Sequence, residues 1–156
     1  MRPVAMFKRI LVVCIGNICR SPLAGAMLAK RLPHVQVTSA GLGALVGQPA
    51  DENVLQLAPH YGVDLSSHRA KQISSKLLEA ADLIFVMDQK QQQYLIGQYA
   101  HLHGRVLLLS HFSAPGLKGA SVEDPYKQDE AVFSECARQI ALHVDAIHKT
   151  LFSTAV

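Results

Sequence analysis

The chain has 156 residues, 49% apolar and 17% charged, with a formal net charge of +3. That length buries one core, and the low charge without long charge runs excludes extended disorder away from the ends. The positive balance is too small to argue for nucleic acid, and no stretch approaches the ~18 apolar residues of a membrane helix, so no membrane insertion is expected.

Residues 1–5 read as a leader outside the fold, with Met6 as an alternative start, and residues 6–153 read as one domain. Arg2, Lys8 and Arg9 precede the apolar run Ile10–Ile15, as in a signal peptide, but the run is short and leads into Asn17 and Arg20 instead of a small-residue cleavage site. Lys8–Ile15 (KRILVVCI) predicts a strand buried on both faces. A loop follows, and Ser21-Pro22 is expected to open a helix to about Leu32, with Ser as N-cap and Pro in the first turn; Pro33 ends it.

Val35–Ala40 alternates and is the second strand, and Gly41–Pro49 is a glycine-bearing loop. Asp51–Tyr61 is helical, with Pro59 placed to cut it short and Gly62 to close it. Ser74–Ala81 is a short helix, Leu83–Met87 a third strand, Gln89–Tyr99 a helix and Val106–Leu109 a fourth strand. Ser110–Gln128 is a long loop, a length that in compact domains is often functional. The last helix, Glu130 to Leu151, carries Phe133, Ala137, Ile140, Ala141, Val144 and Ile147 at helical spacing. Strands alternating with helices imply a single α/β domain with a four-stranded parallel sheet flanked by helices, right-handed crossovers, and a ligand site at the carboxyl ends of the strands.

The segment Cys14-Ile15-Gly16-Asn17-Ile18-Cys19-Arg20-Ser21 lies at such an end. A strand stops at a cysteine, the chain curls, and an arginine precedes a helix. Backbone N–H groups of such a loop converge on one anion, and the helix N-terminus adds donors and the positive end of its dipole. Gly16 is expected to supply the turn. Arg20 offers a planar fork for two phosphate oxygens. Donors that cradle a phosphate also stabilise a thiolate, the Ser21 hydroxyl adds one for sulfur, and the Asn17 amide is suited to hold the loop's shape. Alone, Cys14 reads as a buried strand cysteine. The C-x5-R-S spacing between strand and helix turns it into a candidate nucleophile.

The loop CIGNICRSP resembles the signature of the low-molecular-weight protein tyrosine phosphatases, and the resemblance runs from about Phe7 to Leu151. Ser39-Ala40-Gly41, Ser67-His68-Arg69-Ala70-Lys71-Gln72, Val86-Met87-Asp88 and Asp124-Pro125-Tyr126 carry it further. SAGLGALVG and Ser110-His111-Phe112 are similar to the bacterial branch acting on tyrosine kinases of capsule and exopolysaccharide export.

The resemblance implies that Cys14 attacks phosphorus and forms a phosphocysteine, that Arg20 holds the equatorial oxygens, and that Asp124 protonates the leaving phenolate and then activates water. It implies Ile15, Gly16, Asn17, Ile18, Cys19 and Ser21 around the phosphate, Leu45 and Tyr126 at the substrate ring, and His68 and Arg69 behind the loop. It further implies that Cys19 forms a disulfide with the nucleophile under oxidation. The partner is then a phosphotyrosine protein, with a membrane tyrosine autokinase of polysaccharide export as the specific expectation. Phenolate is a poor leaving group, so a general acid in the Asp124-Pro125 loop is physically reasonable, although Asp-Pro alone is a common turn.

Cys14, Cys19 and Cys136 cannot make a disulfide framework, which points to a reducing cytoplasm. Cys136, on the last helix, reads as core. No zinc spacing exists: Cys14 and Cys19 are not C-x-x-C, and His101 and His103 have no thiol or carboxylate beside them. Neither a metal nor a cofactor is implied. Gly41–Gly47 departs from G-x-G-x-x-G, since Val46 stands where the third glycine belongs. An arsenate reductase of the same fold would need two further relay cysteines. A non-catalytic phosphate-binding protein would keep Arg20 without requiring Cys14 or Asp124.

Overall fold

The first strand, β1 (Arg9–Cys14), has every residue from Ile10 onward buried because the sheet is covered on both sides. Ile10, Val12 and Cys14 join one apolar cluster, while Leu11 and Val13 join the other. The period of two along a strand therefore puts the Cys14 side chain on the face covered by α1 (Arg20–Arg31) and α5 (Glu130–Ser153), which pack against each other. In this computed structural model, residues 7–153 are described; the expectations for residues 1–5 and for Met6 lie outside them.

The strands β2 (Gln36–Gly41), β3 (Leu83–Val86) and β4 (Val106–Leu108) complete a parallel sheet in the order β2-β1-β3-β4. From β1 the chain crosses to one side for β2 and then to the other for β3. The carboxyl end of β1 is therefore the switch point, where a crevice opens in sheets of this kind. On the second face lie α3 (Ser75–Ala80) and α4 (Gln89–Gln98), whose Leu78 and Leu95 are fully buried.

Two local expectations need correction. The helix expected over Asp51–Tyr61 is α2 (Glu52–Leu57), followed by a 3-10 turn over Ala58–Tyr61, because Pro59 brings no N–H to continue the α pattern. Gly62 closes it at φ 72°, and Asp51 caps it by accepting from the Asn53 N–H. Ser21 does not cap α1. That helix begins at Arg20, preceded by Cys19 without a side-chain cap, because the Ser21 hydroxyl is committed elsewhere.

Strand ends move by a residue. The second strand runs to Gly41, pairing it with Cys14, and Ile15 already belongs to the loop. On α5, Phe133, Ala137, Ile140, Val144 and Ile147 are buried, as is Cys136, while Ala141 is half-buried. His101 lies 3.4 Å from Glu79. Asp88 accepts from the Gln91 N–H and caps α4. Among the described residues, no helix is long and apolar enough to cross a membrane.

Candidate active site

From Cys14 to Ile18 every backbone carbonyl is taken by a neighbouring segment. Leu42, Gly43, Leu45 and Asp51 donate their N–H groups to the carbonyls of Cys14, Ile15, Gly16 and Ile18 at 2.9–3.0 Å. The Asn17 carbonyl lies 2.7 Å from His68 Nε2, which must be the donor because a carbonyl only accepts. All these peptide bonds are trans, so an N–H points opposite to the preceding carbonyl. With the carbonyls held outward, the N–H groups of residues 15–19 turn to the inside of the curl. The Asn17 N–H is seen doing so, donating to Cys14 Sγ at 3.3 Å.

Asn17, not Gly16, carries the strained turn. Its φ is 58°, a left-handed conformation that asparagine tolerates better than most residues. A Cβ at Gly16 would meet nothing closer than 3.8 Å. Asn17 is wholly buried, and its side chain is fully used. Nδ2 donates to Ser21 Oγ (2.8 Å) and Ser39 Oγ (3.0 Å), and Oδ1 accepts from the Lys71 N–H (2.9 Å). Ser21 Oγ lies 2.9 Å from Cys14 Sγ. With the sulfur ionised for attack, the hydroxyl is the only possible donor of the pair, and its proton then lies on the sulfur.

Arg20 is almost fully buried. It donates from Nη1 to the Val122 carbonyl (2.8 Å), and Nη2 lies 3.6 Å from Asp124 Oδ2. Its Nε is buried without a hydrogen-bond partner, a donor available to an anion in the curl. Val122 in turn donates its N–H to the Met87 carbonyl at the end of β3. The long loop before α5 is thus tied to both the sheet and the arginine. Asp124 itself is half-exposed, and its Oδ1 accepts from the Tyr126 N–H.

These groups surround a cavity of about 130 Å³ lined by Cys14, Ile15, Gly16, Ile18, Cys19, Arg20, Gly43, Leu45, Asp124 and Tyr126. Asn17 and Ser21 lie behind the lining and act through hydrogen bonds. Arg69, expected behind the loop with His68, meets it only through His68. It is exposed, donates to the His68 carbonyl, and borders a separate groove of about 320 Å³ beside α1. Only His68 of that pair reaches the loop.

Three positions escaped the sequence reading of the site. Ser39 and the Val122 carbonyl orient Asn17 and Arg20. Gly41 is needed because a Cβ there would overlap the Ile15 carbonyl oxygen and come within 3.1 Å of Ala44. Its signal was present as a glycine ending an alternating strand beside the cysteine strand.

The three thiols differ in environment. Burial pushes the Cys19 thiol far up, with the Asp51 and Cys14 charges adding to the effect. Burial also pushes Cys136 up to about 12, opposed by the Arg20 guanidinium. Cys14 alone has two hydrogen-bonding groups on its sulfur.

Comparison with known proteins places nearly the whole chain among a set of relatives. The family described as "Low molecular weight phosphotyrosine protein phosphatase" matches residues 9–155. The chain is 44% identical to the probable low molecular weight protein-tyrosine-phosphatase EpsP of Ralstonia nicotianae, over 90% of this chain and 94% of that one. It is 39% identical to the low molecular weight protein-tyrosine-phosphatase Wzb of Escherichia coli K12, over 83% and 85% of the two chains. The structure of Vibrio vulnificus Wzb in complex with benzylphosphonate superposes with a TM-score of 0.86 at 35% identity, covering 93% of this chain and 99% of that one.

Proposed function

Because the chain belongs to the low molecular weight phosphotyrosine protein phosphatase family, we propose that it hydrolyses phosphotyrosine in a protein through a phosphocysteine on Cys14. The observation that carries this reading is the convergence of the inward N–H groups, the unpaired Arg20 Nε and the Cys14 sulfur on one small cavity. The sulfur attacks phosphorus as the bond to the tyrosine oxygen breaks. The loop amides and Arg20 take up the charge on the equatorial oxygens, fixed in place before the reaction. Asp124 donates the proton that the leaving phenolate needs. It then takes a proton from water, which attacks phosphorus and releases phosphate and the free thiolate. No step calls for a metal.

Leu45 and Tyr126 bound the cavity where the tyrosine ring enters, and both are about two-fifths exposed. The substrate we assign is the tyrosine-rich tail of a membrane autokinase of polysaccharide export, on the likeness of the loops around Gly41–Gly47 and Ser110–Phe112 to that branch. Arsenate reduction would need relay thiols near Cys14. Cys136, buried and held protonated to about 12, does not suit that role.

The test is hydrolysis of a phosphotyrosine peptide in the presence of a chelator. Wild type should turn over, Cys14→Ser should not, and Asp124→Ala should lose about 10²-fold or more in kcat. Phosphate binding without turnover, or turnover that survives Cys14→Ser, would overturn the reading. A phosphorylated kinase tail should be dephosphorylated faster than a phosphoserine peptide; equal rates would remove the assigned partner.

A further inference from the structure

The wall of the cavity contributed by Leu45 belongs to the turn between β2 and α2, and that turn is held from two sides. On the inner side it hangs on the phosphate loop through the N–H groups of Leu42, Gly43 and Leu45. On the outer side one side chain spans it: Gln72 Oε1 accepts from the Ala44 N–H at 2.8 Å, and Gln72 Nε2 donates to the Leu42 carbonyl at 2.6 Å. The Gln72 backbone is itself anchored, bridging to Gly41 at the end of β2.

Gln72 is exposed, so burial of its side chain in the core does not account for this arrangement. The pair of bonds also demands an amide. A carboxylate cannot donate to Leu42, an ammonium cannot accept from Ala44, and alanine does neither. Without the clamp, the turn keeps its bonds to the phosphate loop and the backbone bonds of Gly47 and Gln48 to Ala70, but the stretch Leu42–Ala44 loses the bridge across its outer side, next to the seat Leu45 holds over Gly16. The anion cradle is supported directly by Asn17, by His68 and by the N–H groups of the turn, and Gln72 reaches it only through that turn.

We propose that Gln72 is a positioning residue that sets the Leu45 wall, and so governs recognition of the substrate's aromatic ring but not of its phosphate. The inference rests on the phosphotyrosine reading above. It assigns the division of labour inside that site: the loop from Cys14 to Arg20 reads the anion, and the Gln72-held turn reads the ring.

The experiment compares wild type, Gln72→Ala, Gln72→Glu, Leu45→Ala and the double variant Gln72→Ala/Leu45→Ala on a phosphotyrosine peptide, with inorganic phosphate as competitive inhibitor. Gln72→Ala and Gln72→Glu should raise KM about 5-fold or more while kcat stays within about 2-fold, the pattern of lost uniform binding. The inhibition constant of phosphate should stay within about 2-fold of wild type in every variant, because the side chains of Gln72 and Leu45 supply no donor to the phosphate and the backbone bonds of the turn to the cradle remain. Leu45→Ala should raise KM similarly, and the double variant should be no worse than Leu45→Ala alone, since the two act through one wall.

A phosphate inhibition constant that rises in step with KM would show a general disturbance of the site and overturn the proposal. Additive losses in the double variant, or a Gln72→Ala enzyme with unchanged KM, would do the same. If wild type fails to turn over the peptide at all, the phosphotyrosine reading falls and takes this inference with it. A wild type that turns over while Gln72→Ala matches it removes the inference alone.

Discussion

The buried amide of Asn17 donates to the Ser21 hydroxyl at 2.8 Å, and that hydroxyl lies 2.9 Å from Cys14 Sγ. A thiolate can only accept, so in the ionised nucleophile the Ser21 proton lies on the sulfur while Asn17 Nδ2 holds the oxygen in place, and a residue that never lines the cavity helps to stabilise charge on the nucleophile.

Ser21→Ala should therefore lower kcat by about 10- to 100-fold without loss of fold, because a hydrogen bond to a charged sulfur is worth about 1.5–3 kcal/mol. Asn17→Ala should do more. It removes the Ser21 and Ser39 contacts and leaves the Lys71 N–H unpaired, in a left-handed conformation that alanine disfavours. The expected result is a thermal midpoint lowered by a loss of about 2–4 kcal/mol together with a lowered kcat. Calorimetry and steady-state kinetics on the two variants separate these effects; an Asn17→Ala protein as stable as wild type would contradict the account.

Gly41→Ala tests the packing of β2 against the phosphate loop. The added methyl would meet the Ile15 carbonyl, a backbone atom that cannot swing away. The loop must shift, and a site held to fractions of an ångström loses activity steeply. A loss of at least about 10²-fold in kcat/KM is expected, with stability down by about 1–3 kcal/mol. Gly43→Ala is the control: it meets nothing within 4 Å at its Cβ and should keep its stability.

Alkylation should discriminate the three cysteines. Burial holds Cys136 protonated to about 12 and pushes Cys19 further still, and a protonated thiol is a poor nucleophile. At neutral pH a small alkylating agent should modify Cys14 first, and inorganic phosphate should slow it by filling the cradle. Mass spectrometry of peptides after limited treatment reads the order directly. Early labelling of Cys136 would contradict the burial described for α5.

His143 contributes to the pH dependence of stability near neutrality. His143 is buried against Ser113, with Nδ1 2.7 Å from the hydroxyl, and burial lowers its pKa below the ordinary 6.5. Its folded value lies below its unfolded value, so the unfolded chain binds the proton more readily in the interval between them. Stability from this group is full above about pH 6.5 and is lost as pH falls through the lowered folded value. The thermal midpoint should decline as pH falls below about 6.5, and His143→Gln should flatten that slope. An unchanged slope in the variant would assign the effect to other groups.

Contiguous features were legible in the sequence. The continuous apolar run before Cys14, the helical spacing on α5 and the alternation of strand and helix fixed an α/β parallel sheet, since each depends only on neighbours a few residues apart. The cassette of strand, cysteine, curl, arginine and helix is equally local, and it put Cys14 and Arg20 at one cavity. Where local reading failed, a distant partner had claimed the group. Ser21 looked like a helix cap, but its hydroxyl belongs to Cys14 and Asn17. Gly16 looked like the turn, but Asn17 takes the left-handed φ because His68 and Lys71 hold it there.

The inward aim of the loop's N–H groups was decided only in three dimensions. It requires donors for every outward carbonyl, and those donors come from residues 42–51 and from His68. Arg20 is likewise aimed by the Val122 carbonyl, 102 positions away. The sequence names the groups that can bind a phosphate. Tertiary packing chooses which way they face, because a peptide's direction is set by whatever satisfies its other end.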